Sequence, residues 1–228
     1  MRVAIIMGGP YRGNPEIVKR HIQIIGNYNT YVSCFQHYKY DWIRSSWPIK
    51  RIFTTPSINF KETNWSKFRN DDPGQSGFWQ FWNIKNVINN VEEDYDFYIK
   101  SRSDLVFNSG TFTDEMIKQL KPNTFYCPAH RFDGMAWEYE WSINDQLFIG
   151  DSNVMKVVSN FVTKYYNTYR HSLNQTTPYV GSNETSLRRY LNENGIPVSL
   201  IHDISYSKNH NGCTVPSGMS KIFQLETI

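Results

Sequence analysis

Cysteine is scarce: Cys34, Cys127 and Cys213 are the only three in 228 residues. No two stand in C-x-x-C spacing, so neither a disulfide framework nor a zinc knuckle is written into the chain, and a reducing, cytoplasmic setting is the simpler expectation. No stretch approaches the roughly 20 apolar residues that span a bilayer, so any membrane association would be peripheral. The opening MRVAIIM runs into Gly8-Gly9 without a charged leader, a long apolar region or a small-residue cleavage site, which reads as a first strand and not as a signal peptide. A block of like charge is also missing. With 20% charged residues and a formal net charge of +3, the chain offers no tail for nucleic acid and no polybasic membrane patch. Neither repeats nor low-complexity tracts occur.

What is present suffices for one core: hydrophobic residues make up 39% of the chain and aromatic residues 16%. Residues 1–212 are expected to form a single domain, followed by a tail, 213–228, that lacks periodicity and reads as partly disordered. The mild basicity suits a small phosphorylated substrate.

Strand and helix signals alternate. Val3 to Met7 is a buried strand ended by Gly-Gly-Pro. Asn14 and Pro15 open a helix whose apolar positions recur through Ile25 before Gly26. Thr30 to Phe35 and Ile49 to Thr54 are further strands. The polar stretch Pro56 to Gly77 reads as a long surface connection. Ser76 to Val91 is a helix that packs on a sheet, and Tyr95 to Lys100 is a strong strand. Then follow a helix over Thr113 to Leu120, strands at Phe125 to Cys127 and Leu147 to Ile149, helices over Val154 to Tyr169 and Glu184 to Asn192, and a strand at Val198 to Ile201. The alternation predicts an α/β fold with a mostly parallel central sheet flanked by helices, whose ligands bind beyond the carboxyl ends of the strands.

Two strand ends carry chemistry. The loop Gly8-Gly9-Pro10-Tyr11-Arg12-Gly13 precedes a helix, and glycines there let an anion approach the backbone. It has Asn14-Pro15 where a Walker motif needs Lys and Ser/Thr, and it misses the G-x-G-x-x-G pattern. A glycine turn that merely reverses the chain fits the spacing equally well. The second strand end, YDFYIKSRSDLVF, sets Lys100, Arg102 and Asp104 at alternate positions. These share a face if the strand continues, with Ser103 on the other. Arg can hold phosphate through a bidentate fork, and a carboxylate can ligate a cation that bridges diphosphate oxygens. A solvated salt-bridge cluster is the plain alternative. Farther on, Asp145 follows Trp137, Tyr139 and Trp141, whose rings suit sugar faces, with Glu138 and Glu140 as rival acids. Asp145 can serve as a general base or simply cap a turn. Glu184 sits where a helix dipole favours an acid, and His202-Asp203 and His210 are further polar candidates.

The segment Tyr95 to Leu105 resembles the Y-D-Y-hydrophobic-hydrophobic-K-x-R-x-D-hydrophobic segment of WavE-like lipopolysaccharide-synthesis proteins and related viral glycosyltransferases, in which R-x-D takes the place of the D-x-D motif of GT-A-fold enzymes. The opening strand with Gly8-Gly9-Pro10, the second strand with Tyr31-Val32-Ser33, and Trp141 to Gly150, similar to an S-D-Q-hydrophobic-hydrophobic-hydrophobic-G motif, resemble that group in the same order. The resemblance implies a GT-A-like fold and transfer of a hexose or deoxyhexose from a nucleotide diphosphate sugar to a glycan acceptor, by inversion, in viral or bacterial polysaccharide biosynthesis. It implies a donor site at Gly8, Gly9, Pro10, Tyr11, Arg12, Ser33, Gln80, Lys100, Arg102 and Asp104, with Asp145 as base. Mn²⁺ or Mg²⁺ would sit at Asp104, although Arg102 replaces the first carboxylate of D-x-D. A non-catalytic carbohydrate-binding module and a sugar nucleotidyltransferase remain alternatives. The former needs no Asp104; the latter normally carries a richer Gly-basic first loop.

Overall fold

Five consecutive apolar residues make Val3–Gly8 (β1) a strand buried on both faces, and its side chains divide by parity. Ala4 and Ile6 enter one core, and Val3, Ile5 and Met7 enter another, as period-2 geometry requires. The computed structural model describes residues 1–55, 74–109, 114–128, 143–164, 183–201, 205–210, 213–215 and 225–227. Helix α1 (Pro15–Ile25) starts where expected: Asn14 Oδ1 accepts the Ile17 N–H at 2.9 Å, Pro15 fills the first turn, and Gly26 ends it at φ 102°. Strands β2 (Asn29–Phe35) and β3 (Ile49–Thr55) follow, then helix α3 (Gly74–Asn90) and β4 (Phe97–Ser101). Between β2 and β3 lie a 3₁₀ turn, Gln36–Tyr38, and a short helix, α2 (Lys39–Ile43), anchored by the buried Trp42. These two elements carry no periodic signal because five residues complete little more than one turn.

The remaining elements are β5 (Leu105–Ser109), α4 (Asp114–Gln119), β6 (Phe125–Pro128), β7 (Phe148–Asp151), α5 (Ser152–Lys164), α6 (Asn183–Glu193), β8 (Val198–Ile201), β9 (Ser205–His210), β10 (Cys213–Val215) and β11 (Leu225–Thr227). The main sheet has the order β11-β8-β6-β7-β4-β1-β2-β3. Strands β3, β2, β1, β4, β6 and β8 run one way, while β7 and β11 run against them. The fold is therefore α/β with a mixed, mostly parallel sheet flanked by helices. One face is covered by α3, α5 and α6 through Phe81, Ile84, Val158, Phe161 and Leu187. The other is covered by α1, α2 and α4, with Leu105 and Phe107 of β5.

The central charged segment does not continue as a strand. β4 stops at Ser101, Arg102 to Asp104 turn, and β5 leaves to join β9 and β10 in a separate three-stranded sheet. The buried Leu105 and Phe107 cause the departure, since they reach the core on the α1 side only if the chain turns away from the main sheet first. At the opposite, amino-terminal edge, Glu93 clasps the starts of β2, β3 and β4. It accepts hydrogen bonds from Tyr31, from Tyr95 at 2.6 Å and from Lys50 at 2.7 Å. The Lys50 and tyrosine donors hold its carboxyl down to about 2.

Candidate functional site

The chain runs outward from β1 to β2 and β3, then crosses back to place β4 on the other side of β1. Such a switch point leaves a crevice beyond the carboxyl ends of the two central strands. A cleft of about 300 Å³ lies there, and its walls include Gly8, Gly9, Pro10, Arg12, Gln80, Lys100, Arg102 and Asp104. Eight of the ten expected donor residues thus meet in one place. Phe35, Tyr38, Trp79 and Asn83 also line it, and the sequence reading passed over all four. Phe35 is the last residue of a predicted strand and Tyr38 follows three residues on, which is the one signal that marks them. Phe35 and Trp79 meet edge to face at 4.4 Å.

Tyr11 and Ser33 lie behind the cleft wall. The Tyr11 ring tilts against Trp42 at 5.5 Å. Ser33 is fully buried and ties α3 to the sheet: its hydroxyl donates to Asn83 Oδ1 at 2.9 Å and accepts from Asn86 Nδ2 at 3.0 Å, and Asn86 Nδ2 also reaches Thr55 Oγ1 at 3.2 Å. Its role is to fix where α3 enters the site.

The first loop is held by its backbone. Gly9 adopts φ +86°, a region that L side chains avoid. Its N–H donates to the Ser33 carbonyl at 2.9 Å and its carbonyl accepts from Trp42 Nε1 at 2.7 Å. The Arg12 N–H donates to Ser103 Oγ at 3.0 Å, so Ser103, itself on the cleft wall, stitches the two strand-end loops together. Gly8 has a steric reason of its own: a Cβ there would stand 2.7 Å from Asn83 Cβ. Gly8→Ala is expected to cost about 1–3 kcal/mol by pushing α3 off the sheet, and a urea melt will measure it. A midpoint equal to wild type would mean that α3 is not tightly seated here.

Arg102 and Asp104 form a fork. Arg102 Nε and Nη2 donate to Oδ1 and Oδ2 of Asp104, each at 2.8 Å. Asp104 is almost fully buried, whereas Arg12, 3.9 Å away at Nη1, is half-exposed and faces solvent. Behind them His21 Nε2 meets Ser101 Oγ at 2.9 Å, and burial drives the imidazole down to about 3, so it is neutral. The fork bears on the metal. Both Asp104 oxygens are engaged by Arg102, and among the described residues no group of three or more His, Cys, Asp or Glu side chains gathers that could hold a cation. A cation at Asp104 would share the carboxylate with Arg102 and draw its remaining ligands from elsewhere, and the chemistry below uses none.

Lys100 faces the other side of the cleft. Its Nζ is buried and donates to the carbonyls of Asp145 at 2.6 Å and Gln146 at 2.9 Å. Burial is the main force that pushes its ammonium down to about 7, with Asp145 opposing and Arg102 assisting. Gln80, from α3, donates to both the carbonyl and Oδ2 of Asp145, at 2.8 and 3.0 Å. Asn144 Oδ1 accepts the N–H groups of Gln146 and Leu147 at 2.9 and 3.2 Å and shapes the turn that presents Asp145. The folded-state value of Lys100 lies below its ordinary one, so the unfolded chain binds more protons between about 7 and 10.5. The Lys100 contribution to stability therefore rises with pH across that window. Thermal melts from pH 7 to 10 should show this rise in the wild type but not in Lys100→Met; parallel curves would place the charge in water.

Glu184 stands in the first turn of α6, and β9 includes His210. Trp137, Glu138, Tyr139, Glu140, Trp141, Ser142, His202 and Asp203 lie outside the described residues, as does 56–73 of the predicted connection. Fold and cleft together define an α/β protein with a cleft lined by Arg12, Lys100 and Arg102 at the switch point of its sheet. No protein-family model matches the chain, and no curated protein matches it.

Proposed function

We propose that this chain is a GT-A-like glycosyltransferase that moves a sugar from a nucleotide diphosphate sugar to a hydroxyl of a glycan acceptor. The observation that carries the proposal is the cleft itself. It brings a glycine loop, Arg12, Arg102 and Asp104 to one side and Lys100 and Gln80 to the other, with the buried Asp145 carboxylate behind Gln80 at 3.0 Å. That charge balance suits a diphosphate, and the aromatic wall of Phe35, Tyr38 and Trp79 suits a base or a sugar face.

In this reading the diphosphate lies over Gly8-Gly9 with Arg12 closing on it from solvent. Arg102, oriented by its fork to Asp104, adds fixed positive charge at the leaving group, and such preorganised charge is worth most in a water-poor site. Asp145 takes the acceptor hydroxyl proton as the oxygen attacks the anomeric carbon and the bond to the diphosphate breaks, which inverts that carbon. Gln80 and Lys100 hold Asp145 in place through its carboxylate and its backbone. A panel of UDP-, GDP-, dTDP- and CMP-sugars in a thermal-shift assay tests the donor half. At least one should raise the melting temperature of the wild type, and Arg12→Ala should diminish the rise. No shift from any of them would sink the proposal.

A further inference from the structure

We infer that Arg188 is a second oxyanion seat, which binds an acidic group, carboxylate or phosphate, on the acceptor sugar. Arg188 lies on α6 and is only 7% exposed, yet its Nε and Nη1 are buried without a hydrogen-bond partner among the described residues. A guanidinium in that condition has lost its water and received nothing in exchange, and buried charges are ordinarily paired. The neighbour on which its charge acts is the Cys127 thiol, which burial pushes up to about 12, so no thiolate answers the cation at neutral pH. An oxyanion supplied from solution would satisfy the planar donors, and such groups are what a guanidinium binds best.

Its place in the fold says which substrate would bring the anion. Cys127 is in β6, two strands from β4 in the main sheet. β6 stands on the order of 10 Å from β4 across the sheet, so a group held beside Cys127 and a diphosphate at the β4 end occupy separate positions. The Asn144 backbone interacts with the Cys127 sulfur, and the next residue, Asp145, is bonded to Gln80 in the cleft wall. A sugar whose hydroxyl meets Asp145 can thus present its acidic group to Arg188. The assignment to the acceptor rests on the donor site proposed above; the seat itself does not.

Glucuronate, glucose 6-phosphate and glucose serve as probes in thermal-shift titrations of the whole chain. The two anions should raise the wild-type melting temperature by a few degrees at concentrations where glucose does not, and the stronger of them tells carboxylate from phosphate. Arg188→Met should abolish this rise while keeping the response to nucleotide diphosphates. Arg188→Lys, which retains the charge and protects against misreading a folding defect, should keep a reduced response. An equal effect from glucose, or an undiminished anion response in folded Arg188→Met, would overturn the seat. A chain that responds to the anionic sugars but to no nucleotide diphosphate would leave the seat standing and remove its link to sugar transfer.

Discussion

Asp145→Asn is expected to lower sugar transfer by about 10²–10⁴-fold, the usual contribution of a positioned base, while nucleotide-sugar affinity stays within a few-fold of wild type. The split follows from the geometry. The Asp145 carboxylate is held by Gln80, and an amide of the same shape can still accept from Gln80 through its oxygen, as the carboxylate Oδ2 does at 3.0 Å. The Lys100 bonds go to the backbone carbonyls of Asp145 and Gln146 and are untouched by the substitution. What is lost is the capacity to take a proton, together with the negative charge that supports the Lys100 ammonium. Donor affinity by calorimetry and turnover with a glycan acceptor separate the two effects. Wild-type turnover would remove Asp145 from the mechanism, and lost donor binding would make it a structural residue of the cleft.

Arg102→Met should weaken both folding and donor binding. Asp104 is 3% exposed at its side chain and takes two charge-assisted hydrogen bonds from Arg102, so the substitution strands a buried carboxylate with Arg12 at 3.9 Å as a distant remaining cation. Breaking a buried pair in this way costs about 3 kcal/mol, and in a domain of this size each kilocalorie lowers the melting temperature by roughly 2–4 °C. The double variant Arg102→Met with Asp104→Leu should recover much of that stability, because neither charge is then left alone, yet should not recover nucleotide binding. If the double variant binds donors as wild type does, the fork is a structural clasp and the diphosphate lies elsewhere.

Much of the fold was legible because its signals are local. The apolar run at Val3, the Asn14-Pro15 start of α1 and the strand before Lys100 each depend on residues within one turn or one strand. The cleft was legible for the same reason: Gly8, Arg12, Arg102 and Asp104 flank strand ends, and parallel strand ends converge. What pairing decides was not legible. The alternation of Lys100, Arg102 and Asp104 suggested one face, but Arg102 found Asp104 and Lys100 found two carbonyls 45 and 46 residues away. Ser33 looked like a ligand residue at a strand end, yet the amides of Asn83 and Asn86 claim it from a helix that the sequence could not dock in advance. Trp42, which bonds Gly9 and roofs the first loop, sits in a helix too short to show a period.

The direction of β7 has a consequence for how such a molecule can change. Because β7 opposes both β4 and β6, the exit of β6 at Pro128 and the entrance of β7 near Phe148 open on the same rim as the cleft. The chain between them leaves the sheet at that rim and returns to it there. The sheet fixes both ends of that excursion, and under the proposed function its return through Asp145 is where acceptor preference would be set.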